Sequence, residues 1–182
     1  WPFRVRLSSL EPQEVTPDLL EACAGLPGFC PHFHLPLQSG AAPVLQAMGR
    51  PYTPGDFRDL VLNIRRGFPD AALGLDVLVG FPGETERDLE ETISLLDVAQ
   101  YDGVYAFQYS PRPNTDAQHM ADAIPEEEKG RRLALVQDHQ REIQIKRNDA
   151  LIGESFEVLV DGASRKPGQW SGRSSSNRIL NF

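Results

Sequence analysis

Four turns in this sequence place glycine, proline and polar side chains where a small polar ligand could be held: Ser8-Ser9-Leu10-Glu11-Pro12, Leu37-Gln38-Ser39-Gly40, Gly80-Phe81-Pro82-Gly83-Glu84 and Tyr109-Ser110-Pro111-Arg112-Pro113. In the third, two glycines and a proline let backbone approach a flat ring such as adenine. The same spacing also serves a tight strand-to-helix connection whose glycines answer only to dihedral needs. Gln38 and Ser39 follow the apolar Leu35 and Leu37, and an amide at a strand end can both donate to and accept from a ribose hydroxyl or a carboxylate. A glutamine that merely caps the next turn would look the same. Glu11 and Asp76 are acids at or in segments expected to be buried, where an ionised carboxylate needs a cation or a hydroxyl. Each could pair with a nearby arginine or meet a ligand.

Other chemistries find less support. His32 and His34 alternate on one segment with no third donor nearby, which argues against a metal centre; His34 reads as a histidine satisfied inside the fold. Cys23 and Cys30, the only cysteines, have the spacing of neither a zinc site nor a disulfide framework and are expected to be ordinary reduced thiols. The run Glu126 to Arg132 reads as a solvated helix face with i,i+4 pairs, Glu127 with Arg131 and Glu128 with Arg132. No Ser-His-Asp arrangement, phosphate-binding lysine loop or hydrolytic acid pair is evident.

The elements that must position these turns alternate. Arg4 to Ser8, Phe33 to Gln38, Leu73 to Val79 and Val104 to Tyr109 read as strands, each followed by helical sequence. Thr16 and Thr53 are N-caps, Pro17 suits a first helical position, and the helices begun there include Pro54 to Arg66, preceded by a short one at Val44 to Met48. From Thr85 to Ala99, Leu89, Ile93, Leu96 and Val98 make an apolar face, and a long charged helix runs from Pro125 to Leu151. Strand starts roughly 30 to 40 residues apart favour parallel βα units, hence an α/β barrel segment or a doubly wound sheet. In such folds ligands sit at the C-terminal strand ends, where all four turns fall. After Glu154 the pattern changes: Phe156 to Gly162 alternates with period two, a Gly/Ser/Arg-rich stretch follows, and Arg178 to Phe182 is a further strand. A small antiparallel β module is expected there.

Charge follows the same division. Of the net charge of −8, residues 161–182 carry +3 and the rest −11, an acidic body with a basic end. The apolar runs are far shorter than the ~20 residues of a membrane span, and nothing suggests a secretory signal. A soluble cytoplasmic protein is expected, read as a segment of a longer chain because it opens without an initiator methionine on a strand-like stretch.

Taken in order, Arg6-Leu7-Ser8-Ser9-Leu10-Glu11-Pro12, His34-Leu35-Pro36-Leu37-Gln38-Ser39-Gly40, Asp76 to Thr85 and Tyr109 to Thr115 resemble the radical S-adenosylmethionine (SAM) tRNA methylthiotransferases, and the resemblance covers essentially the whole chain. Val160 to Lys166, Ser171-Gly172-Arg173 and Asn177-Arg178 resemble the RNA-binding TRAM module that ends these enzymes. That stretch is most similar to the branch acting on isopentenyl-adenosine (MiaB type). Ser8 to Pro12 and Cys30-Pro31-His32 instead resemble the branch acting on threonylcarbamoyl-adenosine (MtaB type).

The resemblance implies an α/β fold: residues 1–152 as the C-terminal portion of a partial (βα)6 TIM-type radical SAM barrel, strands three to six, and residues 153–182 as the N-terminal part of a truncated, OB-like antiparallel TRAM domain. It implies SAM and two [4Fe-4S] clusters in the full-length protein, held by cysteines upstream and none by this segment, with no catalytic residue here. Ser9, Glu11, Gln38, Ser39 and Asp76 become candidates for polar contacts to SAM, and the backbone of Val79, Gly80 and Phe81 for flanking adenine. Arg50 and Arg112 become candidates for anionic groups on SAM or RNA. Arg165, Lys166, Arg173, Asn177 and Arg178 would contact the tRNA anticodon loop, basic groups giving affinity without sequence choice. The implied partners are that tRNA, SAM and the upstream cluster-bearing domains. Two rival readings are a ribosomal-protein aspartate methylthiotransferase (RimO-like) and, for the isolated 182 residues, a non-catalytic RNA-binding segment.

Overall fold

The computed structural model describes residues 3–120 and 124–182. Three strands, β1 (His32–Gln38), β2 (Ala72–Val79) and β3 (Gly103–Gln108), form a parallel sheet in the order β1-β2-β3. Parallel pairing needs crossovers, and helices supply them: α1 (Pro17–Gly25) precedes β1, α2 (Ala42–Ala47) and α3 (Pro54–Gly67) join β1 to β2, α4 (Glu86–Ala99) joins β2 to β3, and α5 (Glu126–Asp149) follows β3.

Alternation along the strands separates two faces. Phe33, Leu35, Leu37, Leu73, Leu75, Val77 and Val79 are fully buried and form one core with Phe57, Val61 and Ile64 of α3, Leu89 and Leu96 of α4, and Val136 and Ile143 of α5. The opposite face carries His34, Asp76, Leu78, Tyr105 and Phe107 and is not covered by these helices. The strands are therefore covered by helices on one side only.

The helix starts follow their caps. Thr16 Oγ1 accepts the Leu19 N–H, and Thr53 with Asp56 and Thr85 with Asp88 form reciprocal capping boxes. On α4 the buried face is Leu89, Thr92, Leu95, Leu96 and Ala99, whereas Val98 lies half-exposed, one residue off the expected stripe.

The first expected strand, Arg4 to Ser8, is reduced to a single parallel bridge between Val5 and Phe29. Its alternate residues are drawn elsewhere: Arg4 donates to the Arg173 carbonyl (3.1 Å) and Arg6 to the Ser174 and Ser175 carbonyls (3.3 Å each). The Arg173 and Ser174 carbonyls belong to a second, antiparallel sheet, β4 (Val158–Ala163), β5 (Trp170–Ser174) and β6 (Ile179–Asn181), in that order, and Ser175 directly follows β5 in the chain. Strand β5 lies inside the stretch that composition gave to loop. Gly172 is required at its centre, because a Cβ there would come within 2.5 Å of Val158 Cγ1 and the Leu159 carbonyl oxygen.

Candidate functional site

The C-terminal ends of β1, β2 and β3 open onto a cavity of about 940 Å³. Gln38, Phe81, Tyr109 and Arg112 reach it from three strand-end turns, Asp76 from β2 itself and Arg50 from the segment between α2 and α3. Five of these, all but Tyr109, are residues the sequence singled out. Gln38 arrives there through a register shift after Pro36 that leaves it at φ 70°, a left-handed conformation uncommon for a side-chain-bearing residue. The Tyr52 hydroxyl holds the irregularity, donating to the Pro36 and Leu37 carbonyls at 2.9 and 3.3 Å.

The glycine-rich turn is built from below. Glu84, almost fully buried, accepts the Gly80 N–H at 2.7 Å and the Arg132 guanidinium at 2.8 Å. Burial pushes the Glu84 carboxyl above its ordinary range, against the pull of the Gly80 N–H and Arg132. Gly80 sits at φ 76°, and a Cβ on it would strike Lys129 Cγ at 2.5 Å. The Val79 carbonyl accepts from the Tyr109 N–H. The polar backbone of Val79 and Gly80 is thus engaged within the fold, and Phe81 presents its ring to the cavity, edge-on to Tyr109 with centroids 5.1 Å apart.

The run Glu126 to Arg132 is corrected by the same contacts. Lys129 and Arg132 are buried, at 1% and 7% exposure, because α5 crosses the end of β2 there. Arg131 pairs with Glu128 and Glu86, whereas Glu128 with Arg132 holds as expected at 2.8 Å.

The remaining rim candidates differ in how free they are. Asp76 accepts from or shares a proton with His34 Nε2 at 3.1 Å, which also satisfies His34. Glu11 receives Arg50 at 3.2 and 3.3 Å, so this carboxylate meets an arginine. Ser39 is fully buried: its hydroxyl accepts the Ala41 N–H and lies 3.5 Å from Thr92 Oγ1. Ser9 and Arg112 are exposed, and of the two only Arg112 borders the cavity. Cys23 and Cys30 are buried free thiols that do not line it, Cys30 preceding β1 at the opposite end of the sheet. Among the described residues no cluster of three or more His, Cys, Asp or Glu side chains could hold a metal ion.

At the strand starts a second cavity, about 630 Å³, lies between the parallel sheet and the antiparallel one. Asp102, only 9% exposed, anchors it by accepting the Leu73 N–H (2.9 Å), Arg147 (2.9 Å), Arg178 (2.5 Å) and, more loosely, Arg65 (3.5 Å). Arg178 also bonds Asn148. Asn177, at φ 67°, accepts from Arg173 (3.1 Å) and approaches His32 Nε2 at 3.5 Å. Of the five C-terminal candidates, Arg173, Asn177 and Arg178 are therefore engaged within the chain, while Arg165 and Lys166 are exposed on the β4–β5 turn. His32 is lowered to about 4 by burial, with Arg6 and His34 adding repulsion, so it is neutral near pH 7.

Sequence reasoning missed Asp102, Glu84, Tyr105 and Phe107. Only the period-two alternation of β3 carried a signal, since Val104 and Ala106 pack on the core and their neighbours must face the other way.

Comparison with known proteins fits this geometry. The chain is 46% identical over 179 residues to the tRNA-2-methylthio-N(6)-dimethylallyladenosine synthase of Solibacter usitatus, a match covering 98% of this chain and 40% of that protein. The enzyme of the same name from Koribacter versatilis is 46% identical over 181 residues, with the same shares covered. The chain thus spans about 40% of the length of the curated relatives it matches. Among solved structures it resembles coproporphyrinogen III oxidase (HemN) from Escherichia coli, described as a radical SAM enzyme, with a TM-score of 0.64 over 98% of this chain and 50% of that one. At 14% identity that likeness speaks for the fold alone. The family model of the radical SAM superfamily matches residues 3–96, more than half the chain and both β1 and β2 with the turns that follow them, and the chain belongs to that superfamily.

Proposed function

We propose that this chain is the SAM-positioning and RNA-docking part of a cytoplasmic tRNA methylthiotransferase that modifies C2 of dimethylallyl- (isopentenyl-) adenosine 37. The observation that carries the reading is the strand-end cavity, where Gln38, Phe81 and Arg112 from three strand-end turns meet Asp76 of β2 and Arg50. The relatives' printed name supports the dimethylallyl branch over the threonylcarbamoyl one.

The groups around the cavity suit SAM. The cavity wall at Phe81, whose ring is packed on Tyr109 and only 4% exposed, can flank adenine, the Gln38 amide and the Asp76 carboxylate fit hydroxyl and ammonium groups, and Arg50 fits a carboxylate. Bound beside a reduced [4Fe-4S] cluster, one SAM would supply the radical hydrogen abstraction, and another SAM would supply the methyl group. This chain's own residues bind, orient and shield that ligand, and the cluster cysteines fall to upstream domains. Glu11 acts through Arg50, and Ser39 and Gly80 act by fixing the turns, as does Val79. Residues 1–152 form the barrel portion and residues 153–182 the beginning of the RNA-binding module. Arg165 and Lys166 reach tRNA phosphates at the anticodon loop, while Arg173, Asn177 and Arg178 hold the module in place.

Mass analysis of tRNA from a strain lacking the gene tests the reading. Loss of the methylthio group from dimethylallyl-adenosine 37 is expected. Intact tRNA modification, with the group missing from a ribosomal-protein aspartate instead, would overturn it.

A further inference from the structure

On the inner face of β3 two large aromatic side chains stand in the open: Tyr105 is 61% exposed and Phe107 54%. Their neighbours Val104 and Ala106 pack on the core, so the exposure belongs to one face of the strand. Strand β3 pairs only with β2, and among the described residues its other edge carries no partner strand. Phe107 lines the strand-end cavity and Tyr105 lines the cavity at the strand starts, so the two rings connect both openings along one strand.

What surrounds the rings is polar. The His34 ring, held by Asp76, lies 5.6 Å from Tyr105, and Gln108 sits beside Phe107. Along the free edge, Gln137, Arg141 and Gln144 of α5 line a groove of about 300 Å³ that Tyr105 shares. Gln144 already donates to the Asp102 carbonyl at 2.8 Å, but an apolar peptide would leave the Gln137 amide and the Arg141 guanidinium unmatched, whereas a nucleobase offers a flat face to the rings and donors and acceptors to these groups. Same-face residues on a strand are about 6.6 Å apart, close to twice the ~3.4 Å rise of stacked bases.

We propose that Tyr105 and Phe107 form a stacking track for unpaired RNA bases, leading from the antiparallel module to the strand-end cavity. The proposal rests on the tRNA reading above and adds the residues that receive the loop bases and the path they take. Stacking on an aromatic ring tolerates any base, so the track supplies position, and the glutamine amides along it supply preference.

The test uses the full-length protein to which this chain belongs and an RNA hairpin with 2-aminopurine replacing an unpaired loop adenosine. Binding is expected to quench the fluorophore. Tyr105→Ala or Phe107→Ala is expected to weaken affinity about ten-fold and to restore fluorescence, whereas Tyr105→Phe, which keeps the ring, stays within about two-fold of the parent. Both side chains are exposed, so thermal melting checks that the variants fold alike. Parent-like binding and quenching in both alanine variants would overturn the track and leave the tRNA reading standing. Failure of the parent to bind the hairpin would overturn both. Dimerisation of the parent, lost in the same alanine variants, would assign the face to a second copy and overturn the track.

Discussion

At the end of the parallel sheet where the strands begin, Arg65, Arg147 and Arg178, from three different elements, close on the nearly buried Asp102. At the end where the strands finish, Arg112 is exposed, and Arg50 meets Glu11 in a pair whose side chains remain 28% and 40% exposed. The sequence offers the same residue type at both ends. What separates them is how much water the carboxylate keeps: Asp102 is 9% exposed and Glu11 40%, while the paired arginines range only from 19% to 28%. A guanidinium enclosed with its carboxylate is committed to the fold, because removing either partner strands a desolvated charge. One whose partner is still half in water can exchange that partner for a ligand anion at little cost.

The strongest way to break this contrast is at Asp102. Asp102→Ala leaves three arginines and the Leu73 N–H without their shared acceptor, and a loss of roughly 3–5 kcal/mol is expected in urea unfolding. Asp102→Asn, which keeps an acceptor oxygen, should fall between. A loss below about 1 kcal/mol for Asp102→Ala would mean that the strand-start end is no more committed than the rim.

The rim is rigid for a different reason, which Gly80→Ala exposes. The change meets both a left-handed φ and the stem of Lys129, and about 1–3 kcal/mol of destabilisation is expected. Gly83→Ala also faces a left-handed φ but has no neighbour within 4 Å of the added Cβ, so it should cost less. Thermal melts of the two variants separate the steric contribution from the dihedral one.

These contacts also mark where sequence stops being informative. The caps at Thr16 and Thr53 and the strand-end turns were legible because they are local: a side chain, its neighbour three residues on, and the backbone between them. Lys129 and Arg132 were not, because their i,i+3 and i,i+4 spacings to glutamates are the same on a solvated face as on one that crosses a sheet end. Nothing short-range distinguishes Arg178, whose acceptor Asp102 is 76 residues away, from Arg165, which is exposed. Ser39 looked like a ligand contact because a strand-end hydroxyl can turn either way, and Thr92 on α4 decides which. At the site, residue types were legible and their allegiance was not.

His32 gives the strand-start end a pH signature. It is held near 4 in the folded chain and returns to about 6.5 on unfolding, so the unfolded state takes up the proton first. The stability it contributes is complete above pH 6.5 and is lost as pH falls towards 4. Allowing for partial solvent screening, on the order of 2 kcal/mol is involved. Urea midpoints measured from pH 7 down to 4.5 should therefore fall more steeply for the parent than for His32→Gln. Parallel curves would place the acid sensitivity elsewhere.

The smallest change in stability is expected at the rim, and it sharpens the contrast most. Arg50→Gln breaks an ion pair in which both partners are still hydrated, so the cost in urea unfolding should be about 0–1 kcal/mol. If the strand-end cavity holds a ligand carboxylate there, the same variant should lose about ten-fold or more in affinity for S-adenosylhomocysteine, measured by calorimetry, because a charge-assisted bond disappears. Arg178→Gln should do the reverse, lowering stability by more than Arg50→Gln while leaving that affinity unchanged. The pair of variants thus separates two kinds of arginine by two independent readouts. A large stability loss at Arg50 without loss of affinity would show that Glu11 and Arg50 belong to the fold and that the anion is bound by other residues.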